Sequence, residues 1–61
     1  MNKYMAKFSV RDRILTQIEG RSVYYSYASF LTRGDAKKWA ALHIPFWRAE
    51  IIEELFVQST Q

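Results

Sequence analysis

A carboxylate pair one helical turn apart, a single imidazole and two isolated glycines are the nearest things to catalytic equipment in this sequence. Glu50 and Glu54 stand at i and i+4, a spacing that would put two acids on one side of a helix for acid–base work. Glu53 lies beside them, so a solvated helix face accounts for the group without chemistry. His43 is the only histidine, and no Gly-x-Ser-x-Gly elbow supplies a nucleophile for it to activate. Its position suits a donor facing the last carbonyls of a helix ending there. Gly20 and Gly34 are the only glycines, too far apart for a phosphate-cradling loop. Cysteine is absent, which removes disulfides and thiolate ligands together, and one imidazole alone is a poor start for a zinc site. The chain therefore reads as a non-enzyme with no metal and no cofactor. Arg33-Gly34-Asp35 has the form of an integrin-binding tripeptide, but nothing points to secretion, and the tripeptide reads as the start of a helix.

The elements that would position these residues are clearest in the C-terminal half. Thr32 and Asp35 fit a capping box, with the Asp35 charge at the positive helix end. From there Ala36, Trp39, Ala40, Leu42 and His43 share one face, and Lys37, Lys38 and Ala41 the other. Ile44 precedes Pro45 and is pushed out of the α region, so this helix stops near His43. Pro45 suits the first position of a second helix, on which Ala49, Ile51, Ile52, Leu55 and Phe56 form a broad apolar arc. Arg48 falls between Ile51, Ile52 and Leu55. It must snorkel past the core edge or meet Glu53 or Glu54 of a second protomer.

Residues 9–31 carry two patterns. Ser9 and Asp12 form another capping box, and Val10, Ile14, Leu15 and Ile18 fit a helix ending at Gly20. Tyr4, Ala6, Phe8, Val10, Ile14 and Ile18 also alternate strictly, broken only by Asp12 and Thr16. Val23–Tyr27 is rich in strand formers, and a loop over 19–22 would set Ile18 opposite Val23 and Ile14 opposite Tyr27. The expected fold is mostly α, a small single-layer helical domain over residues 1–61. Its helices lie near 9–19, 35–43 and 45–57, with 22–32 a further one where the strand reading fails. Residues 1–7 and 58–61 are expected to be flexible ends. The alternative is α+β, with an N-terminal β-hairpin and two C-terminal helices.

Residues 39–52 resemble the core of a helix-turn-helix DNA-binding motif. Leu42, His43 and Ile44 take the places of its turn, and Ala49 and Ile52 those that pack the second helix. Trp39 stands where the family has a small residue and His43 where glycine makes the turn. The resemblance implies a basic DNA-binding regulator with Arg33, Lys37, Lys38 and Arg48 as nucleic-acid contacts. Against it, Glu50, Glu53 and Glu54 would face the phosphates with Arg48 as the only cation on that helix. Arg21, Arg33, Lys37 and Lys38 around Tyr24, Tyr25 and Tyr27 form a second nucleic-acid possibility, by stacking. Tyrosines half in a core and half in water explain that cluster more simply.

Composition favours a different partner. The net charge is +3, with hydrophobic residues at 49% of the chain and ten aromatics among 61 residues. A chain this short builds one layer of core, and without disulfides or a metal the usual remedy is oligomerisation. Phe46, Trp47, Ile51, Leu55 and Phe56 are the candidate residues for self-association or partner contact, bulky side chains being the usual interface anchors. The expected function is that of a small binding or accessory protein, a homodimer modulating a larger protein partner. No apolar run approaches the roughly 20 residues that span a bilayer and no signal segment is evident, so a cytoplasmic location away from membranes is expected.

Overall fold

The computed structural model describes residues 2–59, apart from the side chains of Asn2, Ser26, Gln58 and Ser59. Five elements follow one another: strand β1 (Asn2–Asp12), helix α1 (Arg13–Glu19), strand β2 (Tyr24–Phe30), helix α2 (Arg33–His43) and strand β3 (Ala49–Ser59). The strands form one sheet in the order β2-β1-β3, with β1 antiparallel to both neighbours. β2 and β3 therefore run parallel to each other, and α2 carries the chain across β1 between them.

This architecture overturns the mostly α expectation. The alternation Tyr4, Ala6, Phe8, Val10 is that of a strand, and only residues 13–19 of the expected helix at 9–19 are helical. Within 22–32, residues 24–30 form β2. The α+β alternative is closer but differs in detail. α1 intervenes between β1 and β2, and their register sets Phe8 against Phe30 and Ser9 against Ser29, not Ile18 against Val23. Residues 2–7 and 58–59, expected to be flexible, are paired in β1 and β3, while residues 1, 60 and 61 lie outside the described residues. The helix-turn-helix resemblance falls as well, because Ala49 and Ile52 lie in a strand.

The reversal at 45–57 has an identifiable cause. Pro45 does open a turn, its carbonyl accepting from the N–H groups of Arg48 at 2.9 Å and Ala49 at 3.2 Å. The turn cannot propagate, because the Arg48 carbonyl accepts from the Arg13 N–H at 2.9 Å. Beyond it β3 pairs with β1 continuously, from Ala49 against Asp12 to Ser59 against Asn2. Helix propensities differ by a few tenths of a kcal/mol per residue and yield to a ladder of that length. The apolar residues that would crowd every side of a helix divide between two strand faces, Ile51, Leu55 and Val57 on one and Ile52 and Phe56 on the other.

Short-range signals hold better. Thr32 caps α2 and accepts from the Asp35 N–H at 3.1 Å. Ile44 is extended and ends that helix. Gly20, at φ 70°, closes α1 in the left-handed region that favours glycine. The cap of α1 is Asp12 and not Ser9.

Ala36 and Ala40, one turn apart on α2, are small enough to bring the helix close over Phe8, Val10 and Ala28. All five are buried, Val10 completely. Trp39 spreads over the β2 side, its ring centroid 6.1 Å from those of Tyr25 and Phe30. It also stacks on His43 at 4.8 Å. His43 Nδ1 donates to the Trp39 carbonyl at 2.9 Å, the helix-end role expected of it. Leu42, expected to point inward, is exposed. The other sheet face carries Lys3, Met5, Lys7, Ser9 and Arg11 of β1 with Glu50, Ile52, Glu54 and Phe56 of β3, and no second helix covers it among the described residues. No helix among those residues is long and apolar enough to cross a membrane.

Candidate interaction surface

One end of the sheet is locked by a buried carboxylate. Asp12, only 2% exposed, accepts from the backbone N–H groups of Ile14 at 3.1 Å and Leu15 at 2.8 Å through Oδ1. Its Oδ2 accepts from the Tyr25 hydroxyl at 2.8 Å and from Arg48 Nε. β1, α1, β2 and the turn before β3 thus converge on a single side chain. A bulge makes this possible: residues 25–28 of β2 stand against Val10 alone, between the pairs Ser9–Ser29 and Arg11–Tyr24. The bulge re-aims Tyr25 toward Asp12.

Burial by itself would raise the Asp12 carboxyl, but the Leu15 N–H, the Tyr25 hydroxyl and the Arg48 guanidinium outweigh it and hold the group below its ordinary value. Burial and the neighbouring carboxylate push the Tyr25 phenol up, and the bond to Asp12 raises Arg48. A general acid or base is tuned toward the working pH. These three groups are all tuned away from neutrality, and their hydrogen bonds join β1, α1, β2 and the turn before β3. The sequence did hold a trace of it, since Asp12 interrupts the alternation of β1 at an inward position. Arg48, expected to snorkel or to meet a second protomer, is paired within the chain.

The other end of the molecule is bare. β2 pairs with β1 no farther along than Phe8, opposite Phe30, whereas β1 and β3 continue together to Asn2 and Ser59. Residues 2–7 and 54–59 therefore project as a two-stranded ribbon. Tyr4, Leu55 and Val57 on its helix-side face are 75%, 69% and 52% exposed, and Phe56 on the reverse is 42% exposed. The shape reflects this projection, since the radius of gyration is 13.2 Å where a compact chain of this length has about 10.5 Å. The accessible surface is 4825 Å², against about 4,200 Å² for a compact monomer of this mass.

Where α2 meets β3, a groove of about 320 Å³ is lined by Lys37, Ala40, Ala41, Ile44, Phe46, Ala49 and Ile51. Its walls are apolar apart from Lys37. Of the residues expected to make contacts, Ile51 floors this groove and Phe46 forms part of its wall, itself 90% exposed. Trp47 is half exposed in the turn before β3. Leu55 and Phe56 lie farther out on the ribbon and point to opposite faces. The five form a path from the turn before β3 out along that strand, not one face of a helix. A smaller hollow of about 220 Å³ opens beside Lys7, Ser9, Tyr24, Ser29 and Glu54.

The cations are scattered by comparison. Arg33 pairs with Glu53 at 2.9 Å and lies over the Phe8 ring at 5.3 Å. Arg11 pairs with Glu50 at 2.8 Å, and Arg21 with Glu19 at 2.8 Å. Lys37 edges the groove and Lys38 is exposed on α2. Arg33 begins α2, while Arg48 lies beyond its far end, bonded to Asp12. The four candidate nucleic-acid contacts Arg33, Lys37, Lys38 and Arg48 thus form no stripe. Among the described residues no cluster of acids and histidines could hold a metal ion. No protein-family profile, no curated protein and no solved structure matches this chain.

Proposed function

We propose that this chain is a small non-catalytic binding protein that works through protein–protein contacts along β3, as a homodimer acting on a larger partner. The bare ribbon carries the reading. A two-stranded ribbon is at best marginally stable alone in water, and this one bears exposed apolar side chains on both faces. Surfaces of that kind mark interaction sites. The groove between α2 and β3 extends the same surface toward Phe46. The placement of the cations supports protein over nucleic acid as the partner, because Arg11, Arg33 and Arg48 are each held by a carboxylate of this chain and Arg33, Lys37, Lys38 and Arg48 form no stripe that would track a phosphate backbone.

Leu55→Asp tests the reading. We expect the substitution to lower the sedimentation coefficient at a given concentration and to release proteins that the wild-type chain retains from a host-cell extract. The fold, followed by circular dichroism, should persist. A variant with unchanged sedimentation and unchanged retention, or a wild type that retains only nucleic acid, would refute it.

A further inference from the structure

We infer that two copies of this chain pair β3 to β3, antiparallel, about a two-fold axis through Leu55, joining their sheets into one of six strands. The inference rests on the proposed protein-binding reading and names its first partner and register. β3 is an edge strand along its whole length, since the sheet order is β2-β1-β3. β1 is free only over residues 2–7. The longer open row of backbone donors and acceptors is therefore that of β3, and an open row is a template for another strand.

Geometry and charge then select the register. Identical antiparallel neighbours in one sheet are related by an axis normal to it, so opposed residues must share a face, odd with odd and even with even. Centring the pair on Glu54 or on Glu53 sets a carboxylate against its own copy. Centring it on Ile52 sets Glu50 against Glu54 twice. Like charges directly opposite destabilise a ladder. Centring on Leu55 opposes Glu54 to Phe56 and Glu53 to Val57, leaves the two Glu54 diagonal with no two carboxylates directly opposite, and keeps residues 51–59 in the ladder. Centring on Phe56 also separates the carboxylates but loses Ile51 and Ile52. In the Leu55 register Val57 of each copy lies diagonal to Ile51 of the other, within the roughly 7–8 Å over which diagonal side chains interact. Each ribbon then runs toward the groove floor of its partner.

Because the chain has no cysteine, single substitutions read the register directly. Glu53→Cys, Glu54→Cys, Leu55→Cys, Phe56→Cys and Val57→Cys would be oxidised separately in the full chain, with the reduced wild type sedimented alongside. A residue on the axis faces its own copy at about 4.5–5.5 Å between Cα atoms, inside the range a disulfide spans, whereas its neighbours do not. Leu55→Cys should therefore form linked dimer at least roughly tenfold faster than any other variant. A maximum at another position would overturn the register and leave self-association along β3 standing. A wild-type dimer with no linking at any position would overturn β3 as the dimer contact, and only loss of partner retention by Leu55→Asp bears on the wider binding reading. A wild type that sediments as a monomer at every concentration would overturn the homodimer altogether.

Discussion

β1 and β3 run side by side through two unlike environments, and the contrast between them organises the molecule. At the Asp12 end the strands meet β2, α1 and α2, and among the described residues every buried side-chain nitrogen and oxygen finds a partner. At the ribbon end the same two strands have only each other. Backbone pairing is continuous across both regions, so hydrogen bonds do not distinguish them. Side-chain burial does: Val10 is enclosed and Leu55 stands in water. A ladder sets the register of the ribbon, but only a second layer or another strand would give it apolar burial.

The sharpest way to break the contrast is to attack the locked end. Asp12→Ala removes the cap of α1 and leaves the Arg48 guanidinium and the Tyr25 hydroxyl without their acceptor. Small domains are marginally stable, and we expect a fall in melting temperature of roughly 10 °C or more, the largest of any single substitution considered. The pH dependence follows from the directions of the shifts. Because the folded Asp12 carboxyl sits below its ordinary value of 3.8, its contribution is complete above that value and is lost as pH falls through the lower folded one. The raised Tyr25 contributes fully below its ordinary value of 10.0 and is lost as pH rises through the higher folded one. Stability should be flat between these limits as far as this cluster governs it. Asp12→Asn should remove the acid limb. Melting curves of the wild type and Asp12→Asn between pH 2 and 7 that ran parallel would show that the joint is not what acid attacks.

At the ribbon end the same kind of change should behave differently. Leu55→Asp adds a charge to a side chain already 69% exposed, so at low concentration the protomer should lose less than about 1 kcal/mol, typical of surface changes away from special features. Association should weaken strongly, because each such charge would face its own copy across the axis. Stability that depends on concentration in the wild type and not in Leu55→Asp is the expected signature. An equal loss at all concentrations would mean that Leu55 supports the monomer fold.

What was legible in the sequence follows the same division between short and long range. The Thr32 cap, the stop at Ile44 and the closure at Gly20 each depend on residues within a turn of one another, and they stand in the structure as read. The identity of β3 does not depend on its own residues alone. Ala49–Ser59 satisfies a helical arc almost as well as two strand faces, and what decides is β1, some forty residues away in sequence. The Arg48 carbonyl bonded to Arg13 is likewise invisible to local pattern. The candidate contact residues follow from composition, as large apolar side chains in excess of what one layer of core can hold. Their arrangement along a strand edge had to come from the fold. By spacing Asp12 fits one end of a capping box, whereas its greater role is to accept bonds from Tyr25 and Arg48, which no spacing rule connects.

The smallest effect is expected at the boundary between the two regions, where Arg33 bridges Glu53 of β3 and the Phe8 ring of β1. Two weak interactions meet there. The ion pair is roughly half exposed on both sides, and pairs of that kind contribute about 0–1 kcal/mol. A guanidinium that covers a ring while itself remaining in water adds about 0.5–1 kcal/mol. Salt separates the two, because screening weakens the ion pair and leaves the stacked contact largely in place. Arg33→Lys keeps the charge but loses the planar group, whereas Glu53→Gln keeps the stacking and loses the pair. We expect Arg33→Ala to lower stability by about 1 kcal/mol at low salt, with Glu53→Gln accounting for the salt-dependent part. Chemical denaturation by urea at two salt concentrations measures both. If Arg33→Lys matches the wild type throughout, the stacking on Phe8 contributes nothing and the boundary is held by charge alone.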